Sequence, residues 1–185
     1  LARGDREKGW KLASSVANLL FIVVVSVGVV AAIFALPLVK YVIAPGFTPA
    51  QQTLTASLLR YLLISTAIFS VSGLLMGILN AHQHFFLPAL APVLYNVAII
   101  IAAWSWHRHF GVASLVIGVI IGAVLHFSVQ LPGLYRLHFH YYPILSLRDA
   151  AVRQVMKLMG PRVAGLAAVQ LTFLVNTILA SRLPT

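Results

Sequence analysis

Residues 12–39 read LASSVANLLFIVVVSVGVVAAIFALPLV, an uninterrupted stretch without a charge between Lys11 and Lys40. A helix crossing a hydrocarbon core about 30 Å thick needs about 20 mostly apolar residues, because lipid offers no partner to free backbone groups. This stretch exceeds that length. Four more meet the same test outward along the chain: 58–79 with Arg60 near its start, 85–106, 111–135, and 163–181 between Arg162 and Arg182. With 3 acidic residues among 185 and 61% hydrophobic residues, the chain cannot clothe a soluble domain, whose surface is roughly a quarter charged. The sequence therefore predicts an all-α, polytopic transmembrane helical bundle of about five spans.

The formal charge of +10 does not indicate nucleic acid, because the basic residues sit at the ends of apolar runs rather than on one soluble face. They report orientation instead. With the N-terminus inside, nine cations (Arg3, Arg6, Lys8, Lys11, Arg136, Arg148, Arg153, Lys157, Arg162) lie on the cytoplasmic side, against four outside (Lys40, Arg60, Arg108, Arg182); the positive-inside bias favours this arrangement. An opening Leu1 and an odd number of spans lead us to expect an internal portion of a longer polypeptide.

Between the fourth and fifth spans, residues 146–159 have another character. Leu147, Ala151, Val155, Leu158 and Met159 recur at helical spacing, with Arg148, Asp149, Arg153, Gln154 and Lys157 on the other face. This is the pattern of an interfacial helix, started by a near capping box at Ser146 and Asp149 and ended by Gly160-Pro161. It serves either as a headgroup-binding surface or as a plain linker helix. Ala44-Pro45-Gly46-Phe47 and Thr48-Pro49 read as a structured loop that breaks any helix.

Polar residues inside spans mark the faces that avoid lipid. Thr66, Ser70, Gly73, Gly77 and Asn80 form one stripe; Ser114, Gly118, Gly122, His126 and Gln130 form a second; Ala168, Thr172, Asn176 and Ala180 form a third. Gly73, Gly77, Gly118 and Gly122 suit close helix packing, while Asn80, His126 and Gln130 at depth call for a partner helix or a wet cavity. Arg60 and Arg162, near span ends, either snorkel to the interface or face a cavity and meet a phosphate, for which the guanidinium fork is well shaped. No Asp or Glu lies within a span, so buried carboxylate relays and paired-carboxylate catalysis have no residues here. The chain has no cysteine. His82/His84, His107/His109 and His138/His140 fall on both sides of the membrane and cannot make one metal site. These features give no catalytic centre, no metal and no cofactor; the expected partners are membrane lipids and an anionic lipid-linked substrate.

Ala44-Pro45-Gly46-Phe47, Gly77-Ile78-Leu79-Asn80, Phe86 to Pro92 with Asn96, Gly122 to Leu125 running to Gln130-Leu131-Pro132, Met159-Gly160-Pro161, and Asn176-Thr177 with Ala180-Ser181 occur in one order along nearly the whole chain. Together they resemble the MurJ/MviN family of lipid II flippases, within the multidrug/oligosaccharidyl-lipid/polysaccharide exporter superfamily. The resemblance implies helices three to seven of a two-lobe, MATE-like transporter. Residues 1–145 would then belong to the N-terminal lobe, 146–161 to a cytoplasmic amphipathic connector, and 162–185 to the first helix of the C-terminal lobe. It also implies a multi-pass protein of the bacterial inner membrane that moves undecaprenyl-pyrophosphate-linked peptidoglycan precursor by alternating access, acting with the remainder of the same transporter chain.

The substrate-cavity candidates are then Arg60, Asn80, His126, Gln130 and Arg162. Asn176 matches a position that is Asp in some members, where it helps hold sodium; an amide supplies an oxygen but no charge. The rival functions are export of another polyprenyl-linked glycan or of a drug by the same fold, and a membrane partner that binds lipid without moving it.

Overall fold

In a computed structural model, the described backbone comprises residues 3–146 and 149–182, with side chains from Glu7 onward. Seven α-helices follow in order: α1 (Arg3–Ile33), α2 (Ala35–Leu38), α3 (Pro49–Ala81), α4 (Phe86–Phe110), α5 (Ala113–Ser128), α6 (Leu131–Arg136) and α7 (Ala150–Ala180). No strand occurs among the described residues. Five helical stretches are long and apolar enough to cross a membrane: Glu7–Ile33, Pro49–Ala81, Phe86–Phe110, Ala113–Arg136 and Ala150–Ala180.

The helix ends correct the sequence-based boundaries, each for a local reason. The first span does not run unbroken to Val39. Pro37 has no N–H for the carbonyl four residues back and its ring crowds that carbonyl, so α1 stops at Ile33, Phe34 leaves helical geometry, and a π-helical turn covers Val39–Ile43. The second span begins nine residues before its expected start. Thr48-Pro49 does not prevent a helix but opens one: Thr48 N–H donates to Gln51 Oε1 (2.9 Å) and Gln51 N–H to Thr48 Oγ1 (3.4 Å), a reciprocal capping box with proline at the first helical position.

The fourth span is two helices, because Pro132 denies Ser128 its donor and the chain tightens through Val129 and Gln130 before α6. In the fifth, Gly160-Pro161 does not end a connector; α7 runs continuously from Ala150 to Ala180 with Pro161 inside it. Proline excludes helix from its predecessor partly by striking that residue's Cβ, which Gly160 lacks. The cap at the start of α7 is Asp149, whose carboxylate accepts from Ala151 N–H at 2.8 Å. Leu147 and Arg148 of the amphipathic stretch lie outside the described residues.

Two of the three His-x-His pairs turn out to be helix stops. His84 N–H reaches Leu79 O (2.9 Å) and Gln83 N–H reaches Asn80 O (3.0 Å), with Gln83 left-handed at φ 61°. Phe139 N–H to Leu134 O (3.1 Å) and His138 N–H to Tyr135 O (3.0 Å) repeat the pattern, with His138 at φ 53°. Both are Schellman motifs built without glycine. Among the described residues no group of three His, Asp or Glu gathers to hold a metal.

The chain divides into two compact units, Leu1–Gly28 with Tyr61–Leu145, and Val29–Arg60 with Ser146–Thr185. In the first, Leu75, Ile78 and Leu79 of α3 bury against Leu134 of α6, enclosed by Trp10, Leu87, Phe127 and Phe139. In the second, Ala35, Val39, Ala44 and Ala56 form a small core sealed by Ile43, Phe47 and Leu59.

Within the second unit the Ala44–Phe47 turn, closed by Phe47 N–H to Ala44 O at 3.2 Å, meets the end of α7. Gly46 N–H donates to Ser181 Oγ at 3.3 Å, and a methyl group at Gly46 would overlap the Ser181 carbonyl and the Arg182 backbone. Gly46→Ala is therefore expected to destabilise this unit by about 1–3 kcal/mol, the usual cost of overpacking. Faster proteolysis at the C-terminal end of α7 would report it; an unchanged digestion pattern would refute the contact.

Candidate functional site

Helix α5 turns its whole polar stripe inward: Ser114, Gly118, Gly122, His126 and, just beyond its end, Gln130 are all buried. The glycines set the approach of α4. A Cβ at Gly118 would lie 2.8 Å from Ala102 Cβ and 2.9 Å from Ile99 Cα, and one at Gly122 would lie 2.8 Å from the Tyr95 carbonyl. Lipid gives helices no hydrophobic reason to associate, so such backbone proximity is what holds them together. The packing expected at Gly73 and Gly77 is not made: nothing among the described residues comes within 4 Å of a Cβ built on either. Their stripe on α3, with Thr66 and Asn80, is exposed. The face of α3 that α5 contacts is one step round, at Ser72.

There, three polar side chains meet in a dry setting. Ser72 Oγ lies 2.7 Å from His126 Nδ1; Gln130 Nε2 donates to Ser72 Oγ (2.7 Å) and to the His126 carbonyl (2.7 Å). Phe69 of α3 stands edge-on to the imidazole at 5.1 Å and to Tyr95 of α4 at 5.2 Å. His126 is 7% exposed, while Ser72 and Gln130 are fully buried. Of the candidates named from sequence, His126 and Gln130 are thus brought together, with their polar atoms directed at Ser72. The first pair of glycine stripes gave no hint of Ser72, whose partner choice depends on where α5 lands on α3.

The cationic candidates stand apart from this cluster. In the second unit Arg60 is exposed and its Nε donates to the Ala32 carbonyl at 3.0 Å. That carbonyl belongs to the last turn of α1, where helices leave acceptors unfilled and welcome a cation. Arg162 and Asn176 are exposed on α7, whose apolar window contains no buried residue.

A feature not anticipated from sequence lies in the first unit, where the extended residues 139–145 run along α1. Asn18 Nδ2 donates to the carbonyls of Tyr142 (3.3 Å) and Ile144 (2.9 Å), and Asn18 Oδ1 accepts from the Tyr141 hydroxyl (2.6 Å). Ser14 Oγ accepts from Tyr142 N–H at 3.1 Å. Irregular backbone near lipid must have such partners, and Ser14 and Asn18 of α1 supply them. A shallow groove of about 230 Å³ follows the seam, lined by Phe21, Ile22, Pro143 and Leu145.

A family model described as lipid II flippase MurJ matches residues 1–185, the entire chain. This chain belongs to the MurJ family. The lipid II flippase MurJ of Burkholderia cenocepacia is 38% identical over 141 residues, 73% of this chain and 27% of its own length. Probable lipid II flippases MurJ from Buchnera aphidicola subsp. Schizaphis graminum and Bdellovibrio bacteriovorus are 28% and 29% identical, each covering 98% of this chain and 36% and 35% of their own lengths. The chain spans about a third of the length of these curated relatives. MurJ proteins are MATE-like transporters, and the helical, five-span architecture found here matches that class.

Proposed function

We propose that this chain is part of a bacterial inner-membrane transporter that flips lipid II for peptidoglycan synthesis by alternating access. The observation that carries the reading is the family match along all 185 residues. The excess of Lys and Arg at one set of span ends supports an N-terminal end on the cytoplasmic side. On this reading residues 1–145 belong to the first lobe and 162–185 open the second. Residues 146–161 connect them, and within that stretch residues 150–161 form the first turns of one continuous helix, α7. The chemistry is movement of a substrate rather than bond making, so the residues that matter bind and release.

Arg162 and Arg60 are the cations placed to meet a pyrophosphate. Arg162 is exposed, and Arg60 spends only Nε on Ala32, leaving the rest of its fork for an anion. Asn80 offers an exposed amide for the glycan or headgroup, and Asn176 an uncharged oxygen for a coupling cation.

Expression of the complete gene product in cells depleted of their own flippase tests the function. Rescue of growth with outward display of the precursor is expected, and failure despite good membrane insertion overturns the reading. Arg162→Gln is expected to weaken binding of the pyrophosphate-linked lipid by about ten- to a hundredfold, the loss of one charge-assisted contact of about 1.5–3 kcal/mol. Native mass spectrometry or a lipid-binding titration would measure it, and unchanged affinity would remove Arg162 from the site.

A further inference from the structure

The hydrogens of the Ser72–His126–Gln130 cluster can be counted. A carbonyl only accepts, so the Gln130 atom 2.7 Å from His126 O must be the amide nitrogen, and its second hydrogen goes to Ser72 Oγ. The Ser72 proton is then free to point at His126 Nδ1, 2.7 Å away. Nδ1 therefore carries a lone pair, and the neutral ring keeps its hydrogen on Nε2. Apart from His126 Nε2–H, which has no hydrogen-bond partner among the described residues, every donor of the cluster is used, yet one acceptor is not: Gln130 Oε1 is buried and accepts nothing from the described residues. A buried oxygen left in this way costs about 1–3 kcal/mol, which is a reason to ask when it is used.

We propose that His126 is a proton-binding site, and that a proton bound there reverses the hydrogen-bond chain linking α3 to the α5–α6 junction. A proton taken up by a ring that already bears Nε2–H must settle on Nδ1. Nδ1–H then donates to Ser72 Oγ, and the hydroxyl proton has to leave for another acceptor. Gln130 Oε1 is that acceptor, brought to Ser72 by a half-turn of the amide. The same half-turn withdraws the amide hydrogen from the His126 carbonyl.

That carbonyl has little else to hold it, since Gln130 N–H is bonded to Phe127 O (3.2 Å), one residue short of the helical partner. Protonation thus releases the break between α5 and α6. Among the described residues no charged side chain bonds to the ring, whose hydrogen-bond and ring partners are Ser72 and Phe69 from α3 and Gln130 beyond α5, with Tyr95 of α4 reached through Phe69. An unpaired charge at such depth is costly, so the proton is held briefly, as a cycling carrier requires. Apart from Glu7, paired with Lys11 at the exposed start of the first span, the described spans hold no carboxylate, and the cluster is their one buried titratable hydrogen-bond relay.

The complete gene product, labelled with ¹⁵N-histidine in lipid nanodiscs, tests this directly. At about pH 8 one imidazole should show the Nε2–H neutral form, absent from His126→Gln. On acidification to about pH 5 it should become doubly protonated while the Gln130 side-chain amide signals shift. Unmoved signals from the other histidines in the variant certify its fold. An Nδ1–H form at His126, or a ring neutral throughout, overturns the proposal.

Use of the proton in transport rests on the flippase reading above. Flipping by the wild type is then expected to change several-fold across the same range, and His126→Gln to be flat. An identical pH profile in the variant overturns the coupling. A wild type that titrates at His126 but flips nothing at any pH defeats the flippase reading and leaves the proton site standing.

Discussion

Gly122→Ala is expected to be among the most damaging single-methyl changes in the first unit, costing about 1–3 kcal/mol. The added carbon would lie 2.8 Å from the Tyr95 carbonyl oxygen, a backbone atom that cannot swing away, and 3.2 Å from Tyr95 Cα. Helix α4 would have to move outward, and Gly118 would lose its contact with Ala102 and Ile99 at the same time. Gly118→Ala should cost a similar amount, and the double variant less than the sum, because the first displacement makes room for the second methyl. Gly73→Ala and Gly77→Ala provide the contrast, since each has open space and gains up to about 1 kcal/mol of helix preference. Unfolding of the purified protein in mixed detergent micelles would rank the four. A Gly122→Ala protein as resistant as Gly77→Ala would show that α4 and α5 are not held by backbone proximity.

The second large effect is expected at Asn18. Asn18→Leu keeps the bulk but removes two donors and one acceptor, leaving the Ile144 carbonyl and the Tyr141 hydroxyl without that partner and the Tyr142 carbonyl with only Ile144 N–H at 2.8 Å. At about 1–3 kcal/mol for each group kept from water, residues 139–145 should detach from α1 rather than stay unpaired. Hydrogen exchange at Tyr142, or nicking by a protease within this segment, should rise by an order of magnitude or more. Ser14→Ala, which removes a single contact at 3.1 Å, should have a milder effect. Equal protection in Asn18→Leu and wild type would mean that the segment is held by Ser14 and its aromatic side chains without Asn18.

The number and order of spans were legible because lipid imposes a length and a composition that nothing else in the chain imitates. Stops and starts were harder. Thr48-Pro49 has the sequence of a loop, yet Gln51, three residues after Thr48, carries the helix-start signal. Gly160-Pro161 has the sequence of a helix end, yet glycine lacks the Cβ that the following proline ring would strike.

Small and polar stripes marked candidate packing faces, but not what each would face. Periodicity fixes a face on one helix, whereas the neighbour is set by where two helices cross. Hence α5's stripe is filled by α4 and Ser72, and the matching stripe on α3 stays open. Asn18 sat in plain view within the first apolar run, yet its role depends on a segment more than a hundred residues away.

Helix α7 is held near its beginning, where Val152 is fully buried, and at its end, where Ser181 meets Gly46. Between those points its side chains are exposed apart from half-buried Val155, Leu174 and Ile178. Thirty-one helical residues extend about 46 Å, well beyond an acyl layer of about 30 Å. The surplus is the amphipathic stretch 150–161, which the proposed connector keeps outside the acyl layer. Because no break separates those turns from the apolar ones, a tilt of the span swings the outer turns with it, and the two move as one lever.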